Sequence, residues 1–227
     1  MSTAILPIDV NQLPVGKYAD DKVFSELAKA VDWLPRLQLY SSASDECKQG
    51  KFPINHWGFI VGKNITDLTL EVDVIPIAWR PKAMRIKGKD VTSVYDFKNE
   101  EFLKIDEIVK AKTPNSGCMT GPEYLVWIPI IKRFAGYYMC NTSAKMVADD
   151  VKRALKEQRA ITLGSRFVQG KQNSWQAPTI NSCSTPFSPE DLPDTEVLIS
   201  EITKFNNPPE SKAEKVEEVN MAPSRAR

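Results

Sequence analysis

The run Tyr124-Leu-Val-Trp-Ile-Pro-Ile-Ile-Lys-Arg-Phe-Ala-Gly-Tyr-Tyr-Met-Cys140 decides how the chain is arranged. Its first arm, residues 124–128, is β-branched and aromatic, a composition that fits a pleated surface. Pro129 has no amide hydrogen and marks a turn, so Lys132 or Arg133 begins the return arm of a β-hairpin. Side chains alternate along a strand, which sorts the hairpin into two faces. Leu125, Trp127, Phe134 and Tyr138 share one face, which reads as core. Tyr124, Val126, Ile128, Arg133 and Tyr137 share the other, where aromatic rings stand beside a guanidinium. That mixture predicts a face used for binding.

Directly after the hairpin, residues 143–159 read as a helix, with Thr142 or Ser143 placed to cap its free amides. Met146 or Val147, Val151, Ala154 and Leu155 form its apolar stripe. Lys145, Lys152, Arg153, Lys156 and Arg159 lie off that stripe, opposed by Asp149, Asp150 and Glu157. A basic helix beside an aromatic hairpin points to a polyanionic partner.

Outward from this centre, strands are expected at 34–40, 56–61, 68–79, 91–95, 160–169 and 173–180. Short helices are expected at 20–31, 100–109 and 196–205. Between Val72 and Ile77 nearly every position except Asp73 is apolar, the mark of a central strand covered on both faces. Residues 41–51, 113–122 and 182–193 carry polar, glycine and proline signals and read as loops. The expected organisation is a flexible arm at 1–19, a β-rich domain at 20–187, an acidic segment with a short helix at 188–205, and a disordered tail at 206–227. A helix inserted between strand pairs predicts a mainly β (α+β) fold, a small antiparallel OB-like barrel with peripheral short helices.

The 227 residues suit one domain with extensions. Lys and Arg total 30 against 29 Asp and Glu, so net charge names no partner. Its distribution is more informative: from Lys132 to Lys171 basic residues outnumber acidic ones about threefold, and the chain after Phe187 is net acidic. No apolar run approaches a membrane span, and the N-terminus lacks a secretory pattern. Cys47, Cys118, Cys140 and Cys183 are scattered without a CxxC pair, which favours reduced, packing thiols in the cytoplasm.

Catalytic constellations are missing from the pattern. His56 is the single histidine, so neither a His-rich metal site nor a triad is readily assembled. Gly117 and Gly121 lie in a turn that lacks the lysine and strand–helix context of a phosphate loop. Asp149 and Asp150 are adjacent, which on a helix turns their side chains about 100° apart. The expectation is a protein without catalytic activity, metal or cofactor.

Rings and cations, by contrast, recur together. Trp79 is followed by Arg80, Lys82 and Arg85; Tyr124 and Tyr137 accompany Lys132 and Arg133; Trp175 is near Lys171 and Arg166. Single-stranded nucleic acid is bound in this way, by bases stacked on rings and phosphates tracked by cations. These residues, with Lys145, Lys152 and Arg153, form the candidate interface. The opposing reading places the tryptophans in the core and lets the cations solubilise strand ends.

Four segments carry a resemblance: Leu34-Pro-Arg-Leu-Gln-Leu39, Ala78-Trp-Arg-Pro-Lys-Ala83, Ser116-Gly-Cys-Met-Thr-Gly-Pro-Glu-Tyr-Leu-Val-Trp127 and Cys183-Ser-Thr-Pro-Phe187. They resemble uncharacterised bacteriophage proteins from environmental sequence over roughly residues 30–208. More distantly, element order and ring–cation content resemble bacteriophage OB-fold single-stranded DNA-binding proteins. That resemblance implies a role in phage DNA replication or recombination in the host cytoplasm, with single-stranded DNA as partner. A homo-oligomer and replication proteins are the further partners it brings into view. Members of that family commonly end in an acidic tail tipped by an aromatic residue, whereas this chain ends Met-Ala-Pro-Ser-Arg-Ala-Arg227. The competing expectation is a virion or assembly protein that associates with copies of itself.

Overall fold

A computed structural model describes residues 34–42, 44–62, 64–87, 90–113, 116–139, 147–169, 174–187 and 189–208. The expected arm, the expected helix at 20–31, and the tail from residue 209 lie outside these residues.

The long strand is the hub of the fold. β1 (Arg36–Leu39), a single helical turn α1 (Asp45–Lys48), β2 (Trp57–Val61) and β3 (Asn64–Asp67) precede β4 (Val72–Lys87). β5 (Asp90–Val94), α2 (Glu100–Lys110), β6 (Cys118–Ile128) and β7 (Arg133–Tyr138) follow it. The chain continues through α3 (Ala148–Glu157), β8 (Arg159–Gln169), β9 (Ser174–Pro186), a 3-10 turn at Pro189–Asp191 and α4 (Thr195–Asn206).

The strands form one mixed sheet in the order β3-β2-β1-β7-β6-β4-β8-β9, with β5 added to β4. β1 meets β7 in parallel, while the other pairings are antiparallel. The mainly β expectation stands, but the sheet is not closed into a barrel. Closure requires the first and last strands to meet. Here β3 and β9 sit at opposite ends of the order.

β4 runs eight residues beyond the expected end at Trp79, because its prolines are accommodated. Pro81 stands opposite Pro122, and Pro76 borders a register shift between Pro76 and Ala78. A bulge or edge position is where a strand tolerates a missing donor. For the same reason part of the expected 113–122 loop is strand: β6 starts at Cys118 and passes through Gly121 and Pro122. Gly117, at φ +65, makes the entry. A side chain there would meet the Ile86 carbonyl oxygen at 2.2 Å. α1 falls in the expected 41–51 loop, β3 lies where no strand is expected, and β9 continues into the expected 182–193 loop.

The hairpin register agrees with the parity derived from its sequence. Ile128 pairs with Arg133, Val126 with Ala135 and Tyr124 with Tyr137; Trp127 pairs with Phe134 on the alternate face. α3 packs on the first of these faces. Val147, Val151 and Ala154 join Tyr124, Val126, Ile128, Tyr137, Trp57, Ile161 and Leu163 in the main core. Its acidic residues Asp149 and Asp150 stand in the first turn and Lys156 in the last, in accord with the helix dipole. The cap is Val147 without a side-chain bond, while Thr142 and Ser143 lie outside the described residues. The alternate sheet face receives α4, whose Ile202 and Phe205 are buried. Layers therefore cover both faces of the sheet centre. α2 makes a smaller core with Ala83 through Phe102 and Ile105.

Candidate nucleic-acid interface

Both faces of the central hairpin are sealed, which corrects the expected stacking platform. Tyr124 is 2% exposed and Tyr137 4%. The Tyr124 hydroxyl donates to the Ala148 carbonyl at 3.2 Å, and the Tyr137 ring meets Trp57 edge-on at 5.5 Å. Burial, aided by the Asp149 carboxylate, pushes the Tyr124 phenol up to about 12. A phenol held neutral under a helix packs and bonds; it offers no face to a base. Arg133 and Lys132, expected beside these rings, are exposed at the hairpin turn instead. Lys132 there takes a positive φ of 51°.

Arg80 and Lys82 are also drawn inward. In the β4–β6 register Arg80 lies directly opposite Glu123. Arg80 donates to one Glu123 oxygen from Nε at 2.8 Å and Nη2 at 2.5 Å, and Lys82 donates to the other at 2.6 Å. Their side chains are 6% (Arg80), 12% (Lys82) and 5% (Glu123) exposed. The Arg80 guanidinium also lies 3.7 Å from the Tyr95 ring centroid and 4.1 Å from that of Phe205. Its Nη1 donates to the Phe205 carbonyl. Lys82 faces the Tyr138 ring at 4.8 Å, and the Tyr138 hydroxyl donates toward the carbonyls of Lys82 and Met119. Cations so far from water persist only when paired and bonded, and Glu123 does this for both. Sequence reading missed Glu123 and Tyr95, because Glu123 meets Arg80 only through the cross-strand register and Tyr95 only through tertiary contact.

The remaining expected residues are spread over the surface. Trp79 lies opposite Tyr124 in register, yet is 44% exposed. Lys152 on α3 holds its ammonium 6.0 Å from the Trp79 ring centroid. That is the outer limit of cation–π attraction. Arg153, one residue along, pairs with Asp150, and Arg85 pairs with Glu101 on α2 at 2.9 Å. Arg166 is exposed on β8. Trp175 stands on β9 opposite Val168 in register. Lys145 and Lys171 lie outside the described residues. The structure therefore unites Trp79 with Lys152, and Arg80 with Lys82, and separates both pairs from Lys132 and Arg133.

His56 has a structural partner, its Nδ1 lying 2.8 and 2.9 Å from the two Asp67 oxygens. Burial acts to raise the Asp67 carboxyl, but the Thr69 amide and His56 together hold it below the usual range. Among the described residues, no three His, Cys, Asp or Glu side chains gather in a way that suits a metal ion. No helix among them is long and apolar enough to cross a membrane. Compared with known proteins, the chain matches no family model, no curated protein and no solved structure.

Proposed function

We propose that the protein is a non-catalytic single-stranded DNA-binding protein of a phage replication or recombination module. The observation that carries the reading is the exposed Trp79 ring with the Lys152 ammonium over it, on the surface where α3 meets β4. A ring with an open face accepts a base regardless of sequence, and neighbouring cations take the phosphates. The OB-like part of the reading rests on element order alone, a helix placed between a hairpin and a final strand pair.

Titration of the protein with oligo-dT at two salt concentrations tests it. Tryptophan fluorescence should be quenched, and affinity should fall steeply as salt rises. Trp79→Ala should weaken binding by one stacked base, about 1–3 kcal/mol or roughly 5- to 150-fold. An unchanged titration with Trp79→Ala removes that ring from the site, and no binding at low salt refutes the function.

A second reading, a self-associating virion or assembly protein, draws on apolar side chains at strand ends. Ile130 at the β6–β7 turn is 80% exposed, and Phe167 near the end of β8 is 62% exposed. A defined oligomer by light scattering, with no affinity for oligo-dT, supports that reading instead.

A further inference from the structure

We propose that Arg80, Lys82, Tyr95 and Tyr138 form a nucleotide-binding subsite that α4 occupies in this structure, with Phe205 in the place of a base. The inference deepens the single-stranded DNA reading and rests on it. Phe205, fully buried, brings its ring centroid to 4.1 Å from the Arg80 guanidinium, which also lies 3.7 Å from that of Tyr95. The same residue gives its carbonyl oxygen to Arg80 Nη1. A planar ring for stacking joined to an oxygen for a guanidinium donor is the pairing that a nucleotide carries, as base and phosphate.

The charge and the rings beneath α4 agree with that ligand. Arg80 and Lys82 against Glu123 leave one positive charge in excess, and Lys82 sits between the rings of Tyr95, at 5.5 Å, and Tyr138, at 4.8 Å. Glu123 holds both cations in place by three hydrogen bonds. Core packing alone needs no buried guanidinium here, since an apolar side chain fills such a space without desolvating a charge.

α4 is also suited to leave. Of its side chains only Ile202 and Phe205 are buried, its Phe205 carbonyl accepts from Arg80, and Glu196 and Val197 are exposed. The segment before it, with Pro186 and Pro193, joins it by a 3-10 turn whose Asp191 carbonyl accepts from Trp127 Nε1 at 2.9 Å. Release of α4 would uncover rings and cations on the face opposite Trp79 and α3.

The test uses the full chain with fluorescent oligo-dT as probe. Ile202→Ser, which loosens α4 and leaves the four subsite side chains as they are, should bind oligo-dT about tenfold tighter than the parent. Adding Arg80→Met, Lys82→Met and Glu123→Leu together to that variant, which removes the cations without leaving the Glu123 carboxylate buried and unpaired, should return the affinity to the parental value. Hydrogen exchange on the unmodified protein supplies a measurement free of folding effects: saturating oligo-dT should speed exchange of the α4 amides. Unchanged or slowed exchange in α4, with DNA bound, overturns the subsite and leaves the Trp79 surface as the sole site. Failure of both the parent and Ile202→Ser to bind oligo-dT overturns the DNA reading as well.

Discussion

Removing the carboxylate of Glu123 should be among the most destabilising single changes available in this chain. Its two oxygens take three donors, two from Arg80 and one from Lys82, and the three side chains are nearly dry. Three charge-assisted bonds at about 1.5–3 kcal/mol each would sum to several kcal/mol. The cations keep other partners, however: Arg80 retains the Phe205 carbonyl and two rings, and Lys82 retains Tyr138. The expected loss for Glu123→Ala is therefore that of a broken buried pair, about 3–5 kcal/mol. Against a typical stability of about 5–15 kcal/mol that is a large fraction. Glu123→Gln keeps one acceptor and the shape, so its loss should be smaller, about 2 kcal/mol. Equilibrium urea unfolding reads both: with an m-value of about 2–3 kcal/mol per molar, Glu123→Ala should lower the midpoint by roughly 1–2 M. Replacing all three charges together, Arg80→Met with Lys82→Met and Glu123→Leu, should recover much of the loss, because the desolvation cost leaves with the charges. A Glu123→Ala midpoint within about 0.3 M of the parent, with unchanged slope, refutes the account of the cluster.

Two further expectations concern titrating groups. The Tyr124 phenol ionises at about 12 in the fold against an ordinary 10.0, so its contribution is intact below pH 10 and is lost as pH rises through 12. That loss is on the order of 2 kcal/mol. Tyr124→Phe should abolish this part of the alkaline destabilisation, and circular dichroism melts between pH 9 and pH 12 check it; identical pH profiles contradict the placement. At the β2–β3 end, His56→Ala should raise the Asp67 carboxyl toward its ordinary 3.8, since His56 is one of the groups that lowers it. Asp67 therefore contributes stability above its unfolded value and loses it as pH falls through the lower folded one. An NMR titration of the Asp67 carboxyl that is unmoved by the substitution counts against the ion pair.

What could be read locally was read from local chemistry. Pro129 and the alternation on either side of it sufficed for the hairpin and for which residues share a face, because parity is a property of the backbone. The apolar stripe Val147, Val151, Ala154 and Leu155 likewise marked the inner side of α3. Proline misleads where a partner strand absorbs it: Pro81 and Pro122 face one another inside β4–β6, although each is a strand-breaking signal in the sequence.

A mainly β chain, its central hairpin and the helix beside it follow from local pattern alone, since these depend on neighbours a few residues apart. Which rings meet solvent depends on long-range packing. α3 covers Tyr124 and Tyr137, α4 covers Arg80, and Trp79 remains open, although all four looked alike as rings or cations in β-rich segments. The role of Glu123 was decided in the same way, because it lies 43 residues from Arg80 and meets it through the register of two strands. A side chain's exposure is set by what folds over it from far along the chain, and no local pattern encodes that.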